Sequence, residues 1–286
     1  MKSSFRFDKA ASIYVFRPFK KMITGGKKKI PILMYHSISD NEEASVHPYY
    51  MTHTSPEIFA AQMKFLYEMG YAVISMPDAE EKLGRGWDGK ENYVVLTFDD
   101  GFLDFYTNAF PVLMDYGFTA TVFLPTAFIG DGTLSFKNKR CLCWREVREL
   151  RKSGITFGSH TVTHPQLREL RFELIAQELN DSRKAIEDNL GEPVQSFSYP
   201  YRFPEEDRSF RRYLRDTLRE AGYSHGVTTV IGRARMEDDK LFLKRLPVNG
   251  ADDLDLFSAK LEGGYDWVHK PQIISKQLKK LLLPIA

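Results

Sequence analysis

Two adjacent carboxylates close a strand-like run in this chain. The apolar stretch Tyr93-Val94-Val95-Leu96 leads into Thr97-Phe98-Asp99-Asp100-Gly101. Neighbouring carboxylates repel unless a cation or a proton compensates them. A metal would let one Asp serve as ligand while the other works as a base, and Gly101 permits a sharp turn from strand into helix. A plain aspartate helix cap after a strand is the other reading of the pair. A second cluster, Ser159-His160-Thr161-Val162-Thr163-His164-Pro165, directly follows the strand-like Ile155–Gly158. Two imidazoles four residues apart can share one metal if the segment is a turn or a helix, although this spacing alone is often incidental. One Asp with two His supplies three ligands and leaves positions open for water and substrate, the pattern of a catalytic zinc. The third cluster, Phe197-Ser198-Tyr199-Pro200-Tyr201, also leaves a strand. Pro200 fixes a turn there, and the Tyr201 N–H could serve as an oxyanion donor; taken alone the segment reads as an aromatic turn. The fourth, Met34-Tyr35-His36-Ser37, ends the first strand. It sets His36 either on the same rim or in a structural hydrogen bond.

These clusters need a scaffold that gathers strand ends. Strand-like runs recur at Ile30–Tyr35, Tyr71–Ser75, Tyr93–Phe98, Thr119–Leu124, Ile155–Gly158, Gln195–Tyr199, His225–Val230 and Leu241–Leu246. Helical patterns lie between them. The clearest opens at Ser55-Pro56-Glu57, with a cap, a first-turn proline and an acid, and stops at Gly70. Others are expected near 103–116, 143–153, 166–190, 205–221 and 252–262. Alternation of compact apolar strands with helices predicts an α/β fold with a parallel sheet. Eight strands in this length predict a single distorted (β/α) barrel of 7–8 parallel strands, a doubly wound open sheet being the competitor. The catalytic rim of such a barrel is the C-terminal end of its strands, where all four clusters fall.

The chain has 286 residues, 43% hydrophobic and 27% charged, which is ordinary globular composition. Net charge is +2, without the basic character that a nucleic-acid partner requires. That total conceals an uneven distribution. Residues 1–30 hold nine Lys/Arg and one acid, residues 270–286 hold four Lys and none, and the body between them is acidic. A basic aromatic arm (1–29), a barrel (30–268) and a basic amphipathic tail (269–286) are the expected divisions. The basic ends suit peripheral contact with an anionic membrane; a solvated arm with a tail helix packed on the barrel is the alternative. Cys141 and Cys143 cannot form a disulfide framework, and their spacing is poor for an internal bridge. No apolar run approaches the roughly 18 residues of a membrane span. The stretch Ile13–Phe16 is shorter than a signal-peptide core of about 7–15 residues. A soluble, reduced, cytoplasmic chain is the resulting expectation.

The motifs Thr-Phe-Asp-Asp-Gly and Ser-His-Thr-x-x-His, in this order and about 60 residues apart, resemble those of the polysaccharide deacetylases of the NodB-homology type (carbohydrate esterase family 4). The opening Ile32-Leu33-Met34-Tyr35-His36-Ser37-Ile38 is similar to the start of the poly-N-acetylglucosamine deacetylase branch. The helix from Ser55, followed by Gly70-Tyr71, suits the same branch. The resemblance spans roughly residues 30–268. It implies a distorted barrel with one divalent metal ion, usually Zn2+, held by Asp100, His160 and His164. It makes Asp99 the catalytic base and the Tyr201 N–H an oxyanion donor. The implied substrate is an N-acetylated amino-sugar glycan, deacetylated with release of acetate. The lack of an export signal suggests a cytoplasmic step, and the basic ends suggest a lipid-linked amino sugar at the inner membrane face. A related hydrolase of a non-sugar amide or imide, or a non-catalytic carbohydrate binder, would keep the same fold.

Two departures from the family pattern stand out. The third motif often carries an arginine where this chain has Ser198, so support for Asp99 must come from elsewhere. Arg245 is one candidate, with a surface or helix-pairing role as its alternative. The C-terminal Leu-x-His that often supplies the acid is missing, and His269 does not match it. In the poly-N-acetylglucosamine branch that histidine lies in the first-strand motif, which makes His36 the implied general acid. Of the remaining residues, His47 and His53 are expected to be exposed in a polar loop, and His225 starts a strand at the wrong end of a barrel for catalysis. Cys141-Leu142-Cys143 reads as packing before a helix. Tyr265-Asp266-Trp267 reads as a sugar platform or an anchor for the tail.

Overall fold

The apolar runs form parallel strands whose side chains are buried almost throughout, as strands covered by helices must be. The computed structural model describes residues 6–18, 29–40, 51–85 and 91–269. Its main strands are β1 (Ile32–Tyr35), β2 (Tyr71–Ile74), β3 (Asn92–Phe98), β4 (Thr121–Leu124), β5 (Thr156–Ser159), β6 (Ser196–Ser198), β7 (His225–Ile231) and β8 (Leu243–Pro247). The order runs β1-β8-β7-β6-β5-β4-β3, and the pairing of Ile32–Tyr35 with Val95–Phe98 closes the ring. Seven parallel strands thus make a barrel, and β2 pairs with the first half of β3 outside it. The run expected as one strand from Ile30 divides at Pro31, which has no N–H for a ladder. Lys29–Ile30 instead pairs antiparallel with Ala234–Arg235.

Two apolar layers follow from the period of two along a strand. One face packs against the helices in the larger core. The other contributes Ile32, Val95, Phe123, Val227 and Leu243 to a smaller cluster that rests on Met76, Ala79 and Leu83. Those last three belong to the helix Met76–Arg85, which the sequence reading left out. Its start signal is present in retrospect: Ser75 Oγ accepts the Asp78 N–H at 3.2 Å and donates to its carboxylate at 2.6 Å, and Pro77 occupies the first turn. The same period carries the inward column of β3 from Val95 through Thr97 to Asp99, and that of β8 from Leu243 to Arg245.

The N-terminal segment is a docked element. Phe7–Ala11 is α-helical and continues as a π-helical turn through Phe16. Phe16 stacks on Trp267 with centroids 4.7 Å apart, and Trp267 Nε1 donates to Ser12 Oγ at 3.0 Å. Tyr265 donates to Asp8, Arg6 pairs with Asp8 and Asp252, Lys9 pairs with Asp253, and Arg17 pairs with Glu262. The reading of a solvated arm is therefore corrected for residues 6–18, whose cations are matched by acids of the last helix and the loops flanking it. Tyr265 and Trp267 anchor this segment, which is neither of the roles expected for them. Residues 19–28 and the tail from 270 lie outside the described residues.

Gly158 gives room inside the barrel. A Cβ there would come within 2.6 Å of the Phe123 ring and 2.8 Å of the Ser196 carbonyl oxygen. Gly158→Ala should cost about 1–3 kcal/mol through overpacking. Urea unfolding checks this, and a midpoint equal to wild type would contradict the packing described.

Candidate metal centre and active site

The site lies where β3, β5, β6 and β8 end. Asp99 and Asp100 follow β3 at once, and both are buried. Asp99 N–H donates to the Tyr35 carbonyl at 3.0 Å, which ties the pair to β1. Asp100 takes φ +73°, and Gly101 follows at +58°. Thr161, His164 and Tyr201 also sit in the left-handed region, at +67°, +56° and +56°. Such conformations cost of order 1–3 kcal/mol each in non-glycine residues and collect at functional loops.

The histidine segment is a tight turn. Thr161 N–H donates to Ser159 Oγ at 3.1 Å, and His164 N–H to Thr161 Oγ1 at 3.0 Å. Glu178, from the helix Phe172–Leu190, accepts the N–H groups of Val162 and Thr163 at 2.7 and 2.9 Å and the Thr163 hydroxyl at 2.6 Å. The turn brings the two imidazoles into an edge-to-face pair with centroids 4.7 Å apart. His160 Nδ1 lies 2.8 Å from the Ser198 carbonyl oxygen. Only a protonated Nδ1 can donate there, so Nε2 keeps its lone pair for the site.

Three lone-pair donors now converge. His164 Nε2 is 3.3 Å and His160 Nε2 is 3.6 Å from Asp100 Oδ1, an oxygen that is buried and has no hydrogen-bond partner. Burial lowers the pKa of both histidines, to about 3 for His164, where His160 adds to the effect. Both are neutral at ordinary pH, and His160, whose one proton goes to the Ser198 carbonyl, offers Asp100 none; the buried His164 Nδ1 has no partner, so its tautomer is set by what occupies the site. A buried carboxylate oxygen facing two neutral imidazole nitrogens is satisfied by a cation. Tetrahedral bonds of about 2.0–2.1 Å place ligand atoms roughly 3.4 Å apart, close to the separations observed. The residues fit a divalent metal ion, and among the described residues they form the one such group.

Asp99 has a different environment. Arg245 Nη1 donates to Oδ1 at 2.8 Å and Nη2 to Oδ2 at 2.7 Å, a bidentate pair with the guanidinium 0% exposed. Arg245 also donates to Thr97 Oγ1, the Ser198 hydroxyl and the Thr228 carbonyl. The Ser198 hydroxyl donates to Asp99 Oδ1 at 3.2 Å. Burial by itself would raise the Asp99 pKa; Arg245, helped by His160, more than reverses this and holds the carboxyl well below the usual range. The surface or helix-pairing role weighed for Arg245 is thereby replaced. A small residue at position 198 leaves the space into which the guanidinium reaches from β8.

His36 is half-buried at the end of β1. Burial lowers its pKa, and the charges of Asp100 and Asp99 oppose that shift. Tyr201 is half-exposed, its ring 4.6 Å from that of His164, and it lines a cleft of about 530 Å³ with Gln166, Arg168, Glu169 and Arg202. His53, expected to be exposed, is buried in a short strand beside Ser37–Ile38. His225 is buried between the Ser196 and Ser224 hydroxyls at the opposite end of the barrel. His47 lies outside the described residues. Burial pushes the Cys141 thiol up to about 12, and Cys143 caps the helix Trp144–Lys152, so this pair is packing.

Comparison with known proteins gives the chain its relatives. A family model described as polysaccharide deacetylase matches residues 87–226. The Bacillus subtilis (strain 168) protein YxkH, which carries the family's name, is 32% identical over 237 residues, 82% of this chain and 76% of its own. A Staphylococcus aureus poly-beta-1,6-N-acetyl-D-glucosamine N-deacetylase is 27% identical over 179 residues, 59% of each chain. The structure of the Streptococcus pyogenes deacetylase PplD in complex with acetate superimposes with a TM-score of 0.69 at 25% identity, covering 82% of this chain and 99% of that one. The IcaB structure from Ammonifex degensii shares the fold, with a TM-score of 0.68 at 21% identity over 84% of this chain and 98% of that one. The chain belongs to the polysaccharide deacetylase family.

Removing the guanidinium should let burial dominate at Asp99 and raise its pKa. With Asp99 in the base role that the sequence resemblance implies, activity is lost as pH falls through its pKa. The acidic limb of kcat/KM should therefore move to higher pH in Arg245→Met, with Arg245→Lys between it and wild type. An unshifted limb in a folded Arg245→Met protein would contradict the assignment.

Proposed function

We propose that this chain hydrolyses N-acetyl groups on an amino-sugar glycan or glycolipid and releases acetate. The observation that carries the reading is the convergence of Asp100 and two neutral imidazoles beside a second carboxylate kept ionised by Arg245. Family membership and the N-acetylglucosamine deacetylase among its relatives support the substrate class. A divalent ion held by Asp100, His160 and His164, zinc being the best match to this ligand set, would polarise the acetamide carbonyl and acidify water.

The chain's own residues divide the remaining work. Asp99 takes a proton from the attacking water, and Arg245 fixes the plane of its carboxylate. As the carbonyl carbon becomes tetrahedral, the Tyr201 N–H donates to the oxygen that gains charge. His36 in its imidazolium form, which burial disfavours and the charges of Asp100 and Asp99 favour, gives a proton to the departing nitrogen, without which an amide expels a poor leaving group. The C–N bond breaks, and acetate and a free amino sugar leave.

Asp100→Ala should lose both bound metal and acetate release. Elemental analysis, with acetate assayed on N-acetylated mono-, oligo- and lipid-linked sugars against small amides, checks this; intact metal content and activity would sink the reading. His36→Gln should keep its metal and lower kcat by about 10²–10⁴-fold, the usual contribution of a general acid. A kcat within twofold of wild type would remove His36 from that role.

A further inference from the structure

The long connection after β4 carries a β-hairpin, Ser135–Phe136 against Lys139–Arg140, whose two turn residues Lys137 and Asn138 both have positive φ, +49° and +61°. A two-residue turn of this kind matches the twist of its strands and holds its tip firmly. Phe136 wedges the hairpin against the site, its ring 4.4 Å from Phe128 and 5.0 Å from the His164 imidazole. The tip then delivers Lys137. Its ammonium donates to Asp100 Oδ2 at 2.9 Å and stands over the rings of Phe136 (4.6 Å) and Tyr201 (5.8 Å).

The two oxygens of Asp100 have separate tasks. Oδ1 faces His160 and His164, while Oδ2 takes Lys137, so the ammonium lies beside the metal-ligand face. An ammonium has three donors. Among the described residues Asp100 is its one hydrogen-bond partner, and the side chain is 44% exposed. Two donors are left for the mouth of the site. The local charge points the same way. Arg245 and Lys137 already balance Asp99 and Asp100, so a divalent ion leaves an excess of positive charge. An acetamide is neutral in the ground state, so that excess is unanswered before charge develops at its oxygen. A site of this sign attracts and retains an anion.

The geometry points to Lys137 as a substrate-selecting cation that binds an oxyanion carried by the sugar ring bearing the acetamide, or attached directly to it. This rests on the deacetylase reading for its substrate class and adds the anionic substituent. The oxyanion can be a phosphate ester or a carboxylate.

The test is calorimetric titration of the zinc-loaded full chain with N-acetylglucosamine, N-acetylglucosamine 1-phosphate and N-acetylmuramic acid. Acetate released into the same samples and zinc content are measured alongside. At least one anionic sugar should bind about tenfold more tightly than the neutral one, as for a single hydrogen bond to a charged group. The gap should narrow as salt rises. Lys137→Met should erase the gap and Lys137→Arg should keep it, and the preferred sugar tells phosphate from carboxylate. Equal binding of all three sugars by wild type would overturn the inference. So would a Lys137→Met protein that loses zinc and weakens all three alike, since Lys137 would then only support Asp100. An intact gap without acetate release would refute the deacetylase reading and leave the anion site standing.

Discussion

Two carboxylates buried side by side at the end of one strand are the constraint that the rest of the site answers. Two adjacent charges out of water are strongly unfavourable unless each finds its own compensation. The barrel supplies it from opposite directions. Arg245 rises on the inward column of β8 and clamps Asp99 with two short hydrogen bonds. Asp100 is turned by its positive φ to face the two histidines with one oxygen and Lys137 with the other. The pair is thus split into two chemical identities. One is a locked, ionised carboxylate, and the other turns one oxygen to the histidines and one to Lys137.

The supporting structure follows from that division. The His160–His164 turn must bring two nitrogens to one oxygen, and it does so with two strained residues. Glu178 bonds to the backbone N–H groups that this turn leaves exposed. The Ser198 carbonyl fixes the tautomer of His160, while the Ser198 side chain bonds to Asp99. One short residue on β6 therefore serves both halves of the site. The same position explains the departure from the family pattern noted in the sequence, since a long side chain there would fill the space that Arg245 occupies.

The strands, the closed barrel and the residues at the strand ends were legible because apolar runs and polar clusters are local signals. Residues that act from a distance were not. Arg245 reads as an ordinary surface charge until its neighbours Leu243 and Thr97 are known to face the barrel interior. Glu178 is one of several acids on a polar helix, and only the fold brings it under the histidine turn. Lys137 lies on a hairpin whose two-residue strands have too little pattern to recognise in a sequence. His53 reads as exposed from its polar surroundings, yet pairing with Ser37 buries it. The basic N-terminal segment shows only its charge in the sequence, and its partners are acids some 240 residues away.

The central claim is that Asp100 and the two histidines hold one metal ion while Asp99 stays with Arg245 as the base. Anomalous diffraction at the zinc edge, from crystals of the zinc-loaded full chain, tests it directly. The account predicts a single anomalous peak bonded to an Asp100 oxygen and to Nε2 of His160 and His164, with Asp99 still paired to Arg245 and outside the coordination sphere. A peak ligated by Asp99, or no peak within bonding distance of the two histidines, would contradict it.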